Sequence, residues 1–264
     1  MSGGTGGAGH PLAGLSTAAQ DLLKAVYTLA EWAPEGADAV TTSALASRLG
    51  VSVSTVSEMV RKLTSAGLLE HQRYGAVTLT AAGRRAALAL VRRHRLLEAY
   101  LVAALGYSWD EVHAEAEQLE HAVSDTLVAR MDARLGHPRH DPHGDPIPTA
   151  DGRVVVPAAL RLSDVPAGTG GTVARVSDAD PQLLRSFSEH GLVLGAAVHV
   201  LGPRPMGAGT AVRVDAAPAA ASPTGAPSGP SAPSAPSGAG EVEDELVVLD
   251  LGEVATAAVW VVPA

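Results

Sequence analysis

The chain has 264 residues, 46% hydrophobic and 18% charged, proportions of a globular protein with room for two domains and a small third. Cysteine is absent, which excludes disulfides and thiolate metal sites and leaves carboxylate, imidazole, carbonyl and thioether groups as possible ligands. No apolar run approaches the roughly 18 residues of a membrane span, and Met1–Leu15 is Gly-rich without Lys or Arg. That stretch is expected to be a flexible tail on a cytoplasmic protein. The net charge of −9 conceals an asymmetry. Residues 40–100 carry nine basic and three acidic side chains, a net of +6, whereas the chain after Tyr100 carries nine basic and 21 acidic, a net of −12. A basic module on an acidic remainder suggests a local polyanion footprint.

In chain order, apolar spacing predicts a helix over 16–32, capped by Ser16 or Thr17 and stopped by Pro34-Glu35-Gly36. Its apolar face is Leu22, Leu23, Val26, Tyr27, Leu29 and Ala30. Thr41-Thr42-Ser43 then caps a short helix over 44–49 that ends at Gly50. A second helix over 52–65 has Val53, Val56, Met59, Val60 and Leu63 on its buried face. Two β-type runs, 68–71 and 76–79, flank Gln72-Arg73-Tyr74-Gly75 as a hairpin. A long basic helix over 81–105 closes at Gly106, and Ser108 with Glu111 forms a capping-box pattern for a helix running to about Leu135. The Pro-, His- and Gly-rich stretch 137–148 is a loop. Valine-rich runs at 172–176, 197–201, 210–214, 246–250 and 255–262 suggest a small β-barrel. The segment 216–240, made of Ala, Pro, Ser, Gly and Thr, is expected to be a disordered insert.

Helix, Gly turn, helix and hairpin over 41–80 is the layout of a winged helix-turn-helix. Ser52, Ser54, Thr55 and Ser57 offer short polar groups where a recognition helix enters the major groove. Arg61 and Lys62 can reach phosphates, and Arg73 and Tyr74 at the hairpin tip can lie on the DNA backbone or minor groove. Glu58 opposes this reading, since a carboxylate there repels phosphate unless it accepts from a cytosine or faces away.

On the helix after Ser108, His113, Glu117, Glu120 and His121 fall within one arc of about 100° over two turns. The stripe borders apolar Val112, Ala116, Leu119, Val123 and Leu127, which favours a site over a solvated surface. The preceding helix carries His94 and Glu98 at i and i+4, a spacing that can chelate one ion. A metal-dependent hydrolase is the weaker reading. His113 stands eight residues from His121, where the His-Glu-x-x-His arrangement needs four. A metal-independent winged-helix regulator would leave the stripe as ordinary surface.

The Val-Arg-Arg-His94-Arg-Leu-Leu-Glu98 and Glu117-x-x-Glu120-His121 segments, behind a winged helix-turn-helix, resemble the diphtheria-toxin-repressor family of metal-dependent transcriptional regulators, specifically its manganese-sensing branch. The resemblance runs from Ser16 through Pro142-His143-Gly144-Asp145-Pro146-Ile147-Pro148 into a C-terminal SH3-like barrel. It implies a mainly α fold with β: a tail over 1–15, a DNA-binding domain over 16–81, a helical metal-binding and dimerisation domain over 82–148, and the barrel with its insert over 149–264. It also implies a homodimeric repressor of metal-homeostasis genes on double-stranded palindromic operator DNA. One metal site maps to Asp21, Glu117, Glu120 and His121. A second maps to His94 and Glu98, with His113, His143, Asp141 and an acid or amide near Asp178, Asp180 or Gln182 as further candidates. Iron sensors of the family place sulfur where Asp21 and Glu117 stand here. A sulfur-free, carboxylate-rich site suits hard Mn²⁺ and gives Fe²⁺ or another divalent ion less advantage. Where some manganese sensors have a further first-helix acid, this chain has Lys24.

Overall fold

Hydroxyl caps start five of the first six helices. In the computed structural model, which describes residues 10–32, 40–71, 75–205, 209–215 and 247–264, Ser16 accepts from the backbone N–H of Ala19 to start α1 (Thr17–Glu31). Thr41, Ser52 and Thr80 do the same for α2 (Thr42–Leu49), α3 (Val53–Ser65) and α4 (Ala81–Tyr100). Gly50 closes α2 in the left-handed conformation (φ 65°), which lets the chain turn directly into α3. Strands β1 (Leu69–His71) and β2 (Val77–Leu79) pair antiparallel with Leu69 opposite Leu79, giving the hairpin. Arg73 and Tyr74 lie outside the described residues.

The chain forms two compact units that divide between Val155 and Val156. In the first, α4 belongs to two hydrophobic cores. Its N-terminal half, Ala86 to Val91, packs with Leu22, Leu23 and Val26 of α1, Leu45 of α2, Val56 and Val60 of α3, and the hairpin. Its C-terminal half, Leu96 and Leu97, packs with Ala116, Val128, Met131 and Ile147. One helix therefore carries both the winged-helix core and the core behind His94 and Glu98. Gly83 permits its entry: a Cβ there would stand 1.9 Å from the Leu68 carbonyl oxygen.

Several expectations shift. On α1 Lys24 is buried while Ala30 is exposed, and on α3 Val53 is 47% exposed. After α4 the helix passes into a π-helical turn, Leu101–Leu105, closed by Gly106. The single helix expected to run on to Leu135 is two: α5 (Val112–Leu119) and α6 (Asp125–Arg134). The break has a local cause. Ser124 accepts from Leu127 N–H and Asp125 places a carboxylate in the first turn, so the chain starts a new helix there. Ser108 does not cap α5; its hydroxyl donates to the Glu111 carboxylate instead, at 2.6 Å.

The second unit is an antiparallel six-stranded sheet in the order β3-β8-β4-β5-β6-β7, the SH3-like C-terminal domain. Its strands are β3 (Leu160–Arg161), β4 (Gly170–Val176), β5 (Ala197–Pro203), β6 (Thr210–Asp215), β7 (Val247–Leu251) and β8 (Val259–Pro263). Register shifts between Val173 and Arg175 and between Val200 and Gly202 bend it, as bulges do. The run 255–262 divides into α8 (Glu253–Ala257) and β8. The sequence reading missed β3 and α7 (Pro181–Glu189), although Asp180 before Pro181 is a helix-start signal. The proposed insert over 216–240 lies outside the described residues. No helix among the described residues is long and apolar enough to cross a membrane.

Candidate metal centre and nucleic-acid-reading face

Ending α5 at Leu119 leaves Glu120 and His121 in the turn that follows, facing α1. His121 Nε2 lies 2.8 Å from Asp21 Oδ1 and 3.5 Å from Glu120 Oε1, and the three side chains offer ligand atoms within 4.8 Å of one another. The other ring nitrogen of His121, Nδ1, stands 3.1 Å from the amide oxygen of Gln20. A ring that donates its Nδ1 proton to Gln20 presents Nε2 to the two carboxylates. Gln20 was not singled out in the sequence, where an amide beside an acid carries no signal. Burial raises the Asp21 pKa, and the nearby His121 only partly offsets it. The cluster opens on a cavity of about 300 Å³ between α1, the end of α2 and α5, and its lining contains no sulfur.

The second cluster centres on Glu98. His94 Nε2 and His113 Nδ1 lie 3.0 and 3.1 Å from Glu98 Oε1, and 3.2 Å from each other. On its other side Glu98 shares a buried group with Asp141 and His143, again within 4.8 Å. His143 is fully buried. Its Nε2 is 2.6 Å from the Trp109 carbonyl, to which it donates, leaving Nδ1 without a hydrogen-bond partner and 3.9 Å from Glu98 Oε2. A buried imidazole nitrogen with its lone pair free, facing a buried carboxylate, is a metal ligand's arrangement. The donor set of both clusters thus fits a divalent cation.

Glu117 lines the same cavity as Asp21, Glu120 and His121 but stands outside the three-ligand group they form. Half-exposed, it stands 3.4 Å from His113 Nε2 and 3.9 Å from Lys24 Nζ, and its hydrogen bond to His113 lowers its pKa to about 2. Burial alone would raise the Glu98 and Glu120 pKa values, but His94 and His113 around Glu98, and His94 and Lys24 around Glu120, hold both below the usual carboxylate range. Asp178 lies in the second unit between β4 and α7, and Asp180 serves as the N-cap of α7, accepting from Gln182 N–H at 2.8 Å.

A buried ion-pair network escaped the sequence reading altogether. Arg95 pairs with Glu31 at 2.5 Å, donates to the Pro146 carbonyl at 2.7 Å, and lies 3.4 Å from Asp145 and 3.7 Å from Asp141. Trp32 Nε1 donates to Asp145 at 2.7 Å. Asp141 accepts from the backbone N–H of His143 and of Asp145. The loop that carries His143 is therefore strapped to the C-terminal end of α1. Arg95 and Trp32 stand 46 or more residues in the chain from these partners, too far for any spacing rule to connect them.

On α3, Ser52, Ser54, Thr55, Ser57, Arg61 and Lys62 are all exposed, the condition for meeting DNA. Ser52 Oγ lies 2.8 Å from the hydroxyls of Ser54 and Thr55, and Ser57 donates to the Val53 carbonyl. Glu58 pairs with Lys62 at 2.8 Å, which neutralises the one unfavourable charge on this face.

A winged helix-turn-helix joined through a shared helix to a carboxylate-imidazole metal centre defines a class, the metal-responsive DNA-binding regulators. Comparison with known proteins gives the family. Residues 14–77 match the N-terminal DNA-binding domain of iron-dependent repressors, 80–149 their metal-binding and dimerisation domain, and 160–220 the FeoA domain. The chain is similar to the iron-dependent repressor IdeR of Mycobacterium leprae, with 34% identity over 67% of this chain and 81% of that protein. It is also similar to the solved structure of a manganese-dependent transcriptional repressor in complex with manganese, with 50% identity, a TM-score of 0.78, and coverage of 93% of this chain and all of the other. ScaR with bound Cd²⁺ shares 29% identity at a TM-score of 0.70, over 93% of this chain and 99% of that one. The chain belongs to the diphtheria-toxin-repressor family and is a metal-dependent transcriptional repressor.

Proposed function

We propose that this repressor answers to Mn²⁺ and that Asp21, Glu120 and His121 are the ligands through which it does so. His94, Glu98, His113, Asp141 and His143 supply a second site, and Glu117 faces that site from α5. The observation that carries the reading is the sulfur-free cluster joining α1 to the end of α5. Mn²⁺ is the hardest and weakest binder of its series, so replacing thioether and thiolate with carboxylate removes the advantage of its softer competitors. Similarity to a manganese-dependent repressor at 50% identity supports the same choice.

A divalent ion bound there supplies the charge that lets two carboxylates and an imidazole from separate helices share one centre. Asp21 sits on the helix that packs against α2, α3 and the hairpin. Glu120 and His121 lie in the turn just after α5, the helix that packs on the C-terminal half of α4. Holding the three together fixes α1 against α5, and with it the pose of α3. In a two-fold homodimer the two α3 helices then stand at the half-site spacing of a palindromic operator. Metal favours the DNA-competent arrangement only by its differential affinity for it.

The test is a gel shift with Mn²⁺, with Fe²⁺ under anaerobic conditions, and with chelator, on the natural protein and on Glu120→Ala. The natural protein is expected to retard operator DNA only with metal, and Glu120→Ala to lose that response. An unchanged response in the variant would sink the ligand assignment. Activation by Fe²⁺ at lower concentration than Mn²⁺ would favour the iron-responsive reading, which the 34% identity to IdeR also supports.

A further inference from the structure

Lys24 is a buried charged group of the metal centre that the proposed ligand roles leave unused. It lies one turn past Asp21 on α1, only 7% exposed. Its Nζ is 2.7 and 2.9 Å from the two Glu120 oxygens, 3.0 Å from His94 Nδ1 and 3.9 Å from Glu117 Oε1. Lysines ordinarily extend their ammonium to water. This one points inward, where two carboxylates and an imidazole converge from two different helices and a turn, as they would around a metal ion.

We propose that Lys24 is a resident cation occupying a third cation position, bounded by Glu117, Glu120 and His94, and so keeps the two metal clusters separate. The inference rests on the ligand reading above. Glu120 Oε2 lies 2.7 Å from His94 Nδ1, so the clusters touch at this pair. An ion placed between them would use the same Glu120 oxygens and the same His94 nitrogen that the ammonium now engages, and the two positive charges would repel at contact distance. Lys24 also decides which cluster His94 serves. With Nδ1 turned to Lys24 and Glu120, only Nε2 faces Glu98 and His113.

The experiment measures Mn²⁺ bound per chain by equilibrium dialysis with elemental analysis, and Mn–Mn coupling by low-temperature electron paramagnetic resonance, on the full chain. The natural protein is expected to show magnetically isolated Mn²⁺. Lys24→Glu and Lys24→Ala are expected to take up one further ion per chain, with an exchange-coupled pair appearing. A coupled pair in the natural protein would overturn the proposal, and this readout needs no variant to fold. Folded variants that bind no additional ion would overturn it as well. Failure of the ligand reading looks different: Glu120→Ala would then leave the number of bound ions unchanged.

Discussion

His94 shows the residue-scale balance of burial and charge in the proposed metal site. Burial pushes its pKa down, but the charge of Glu98 and the hydrogen bonds to Glu120 and Glu98 outweigh burial and hold it above the ordinary histidine value. The raised value favours the protonated ring beside carboxylates whose own pKa values are depressed, although the charge of Lys24 opposes it. The sign follows. The stabilisation from protonated His94 is present below its unfolded pKa and fades as pH rises through the raised folded value. A metal must displace that proton, so binding should tighten as pH rises through the same range. Mn²⁺ titrations between pH 6 and 8 check this, and an affinity independent of pH would contradict the assignment of His94 as a ligand. Glu58 is a second residue-scale case. The sequence reading flagged it as a repulsive charge on the recognition helix, and its partner four residues on, Lys62, resolves the conflict.

At the scale of elements, the position of α4 depends on contacts that a helical wheel does not show. Gly83 is in its first turn, where glycine normally weakens a helix. Its value is the approach of the hairpin: Leu68 carbonyl oxygen stands where a Cβ would go. Gly83→Ala should destabilise the protein by about 1–3 kcal/mol or more and displace the wing, measured by thermal unfolding and by loss of DNA affinity with metal present. A variant as stable as the natural protein would show that the hairpin yields freely. The break between α5 and α6 is a similar case. Apolar periodicity continues through 119–127, so the pattern reads as one helix, and the Ser124 cap decides otherwise. That break frees Glu120 and His121 to face α1.

At the scale of the molecule, the net +6 over residues 40–100 overstates the DNA footprint. Arg92 pairs with Asp132, Arg93 with Asp125 and Arg95 with Glu31, so three of the nine basic side chains balance acids within the first unit. Lys62 is shared with Glu58. Arg61, exposed on α3, is among the basic side chains outside these pairs and is the expected phosphate contact on that helix. Arg61→Ala should weaken DNA binding nearly uniformly across sequences and lower the salt slope by about 1 per protomer. Binding measured at several salt concentrations checks it, and an unchanged slope would remove Arg61 from the interface.

The order of elements through the hairpin, the sulfur-free donor set and the ligand candidates at His94, Glu98, Glu120 and His121 were legible in the sequence. Caps, helical spacing and metal-ligand chemistry all act over a few residues. The tertiary structure alone decided that α5 stops before Glu120, that Glu117 turns to His113, that Arg95 ties the His143 loop to α1, and that Lys24 points into the centre. Each of these depends on groups brought together from distant parts of the chain, where burial and charge balance outweigh local pattern. Lys24 is the clearest example: the family resemblance set it where some manganese sensors have an acid, and the converging carboxylates of the fold show its charge held inside.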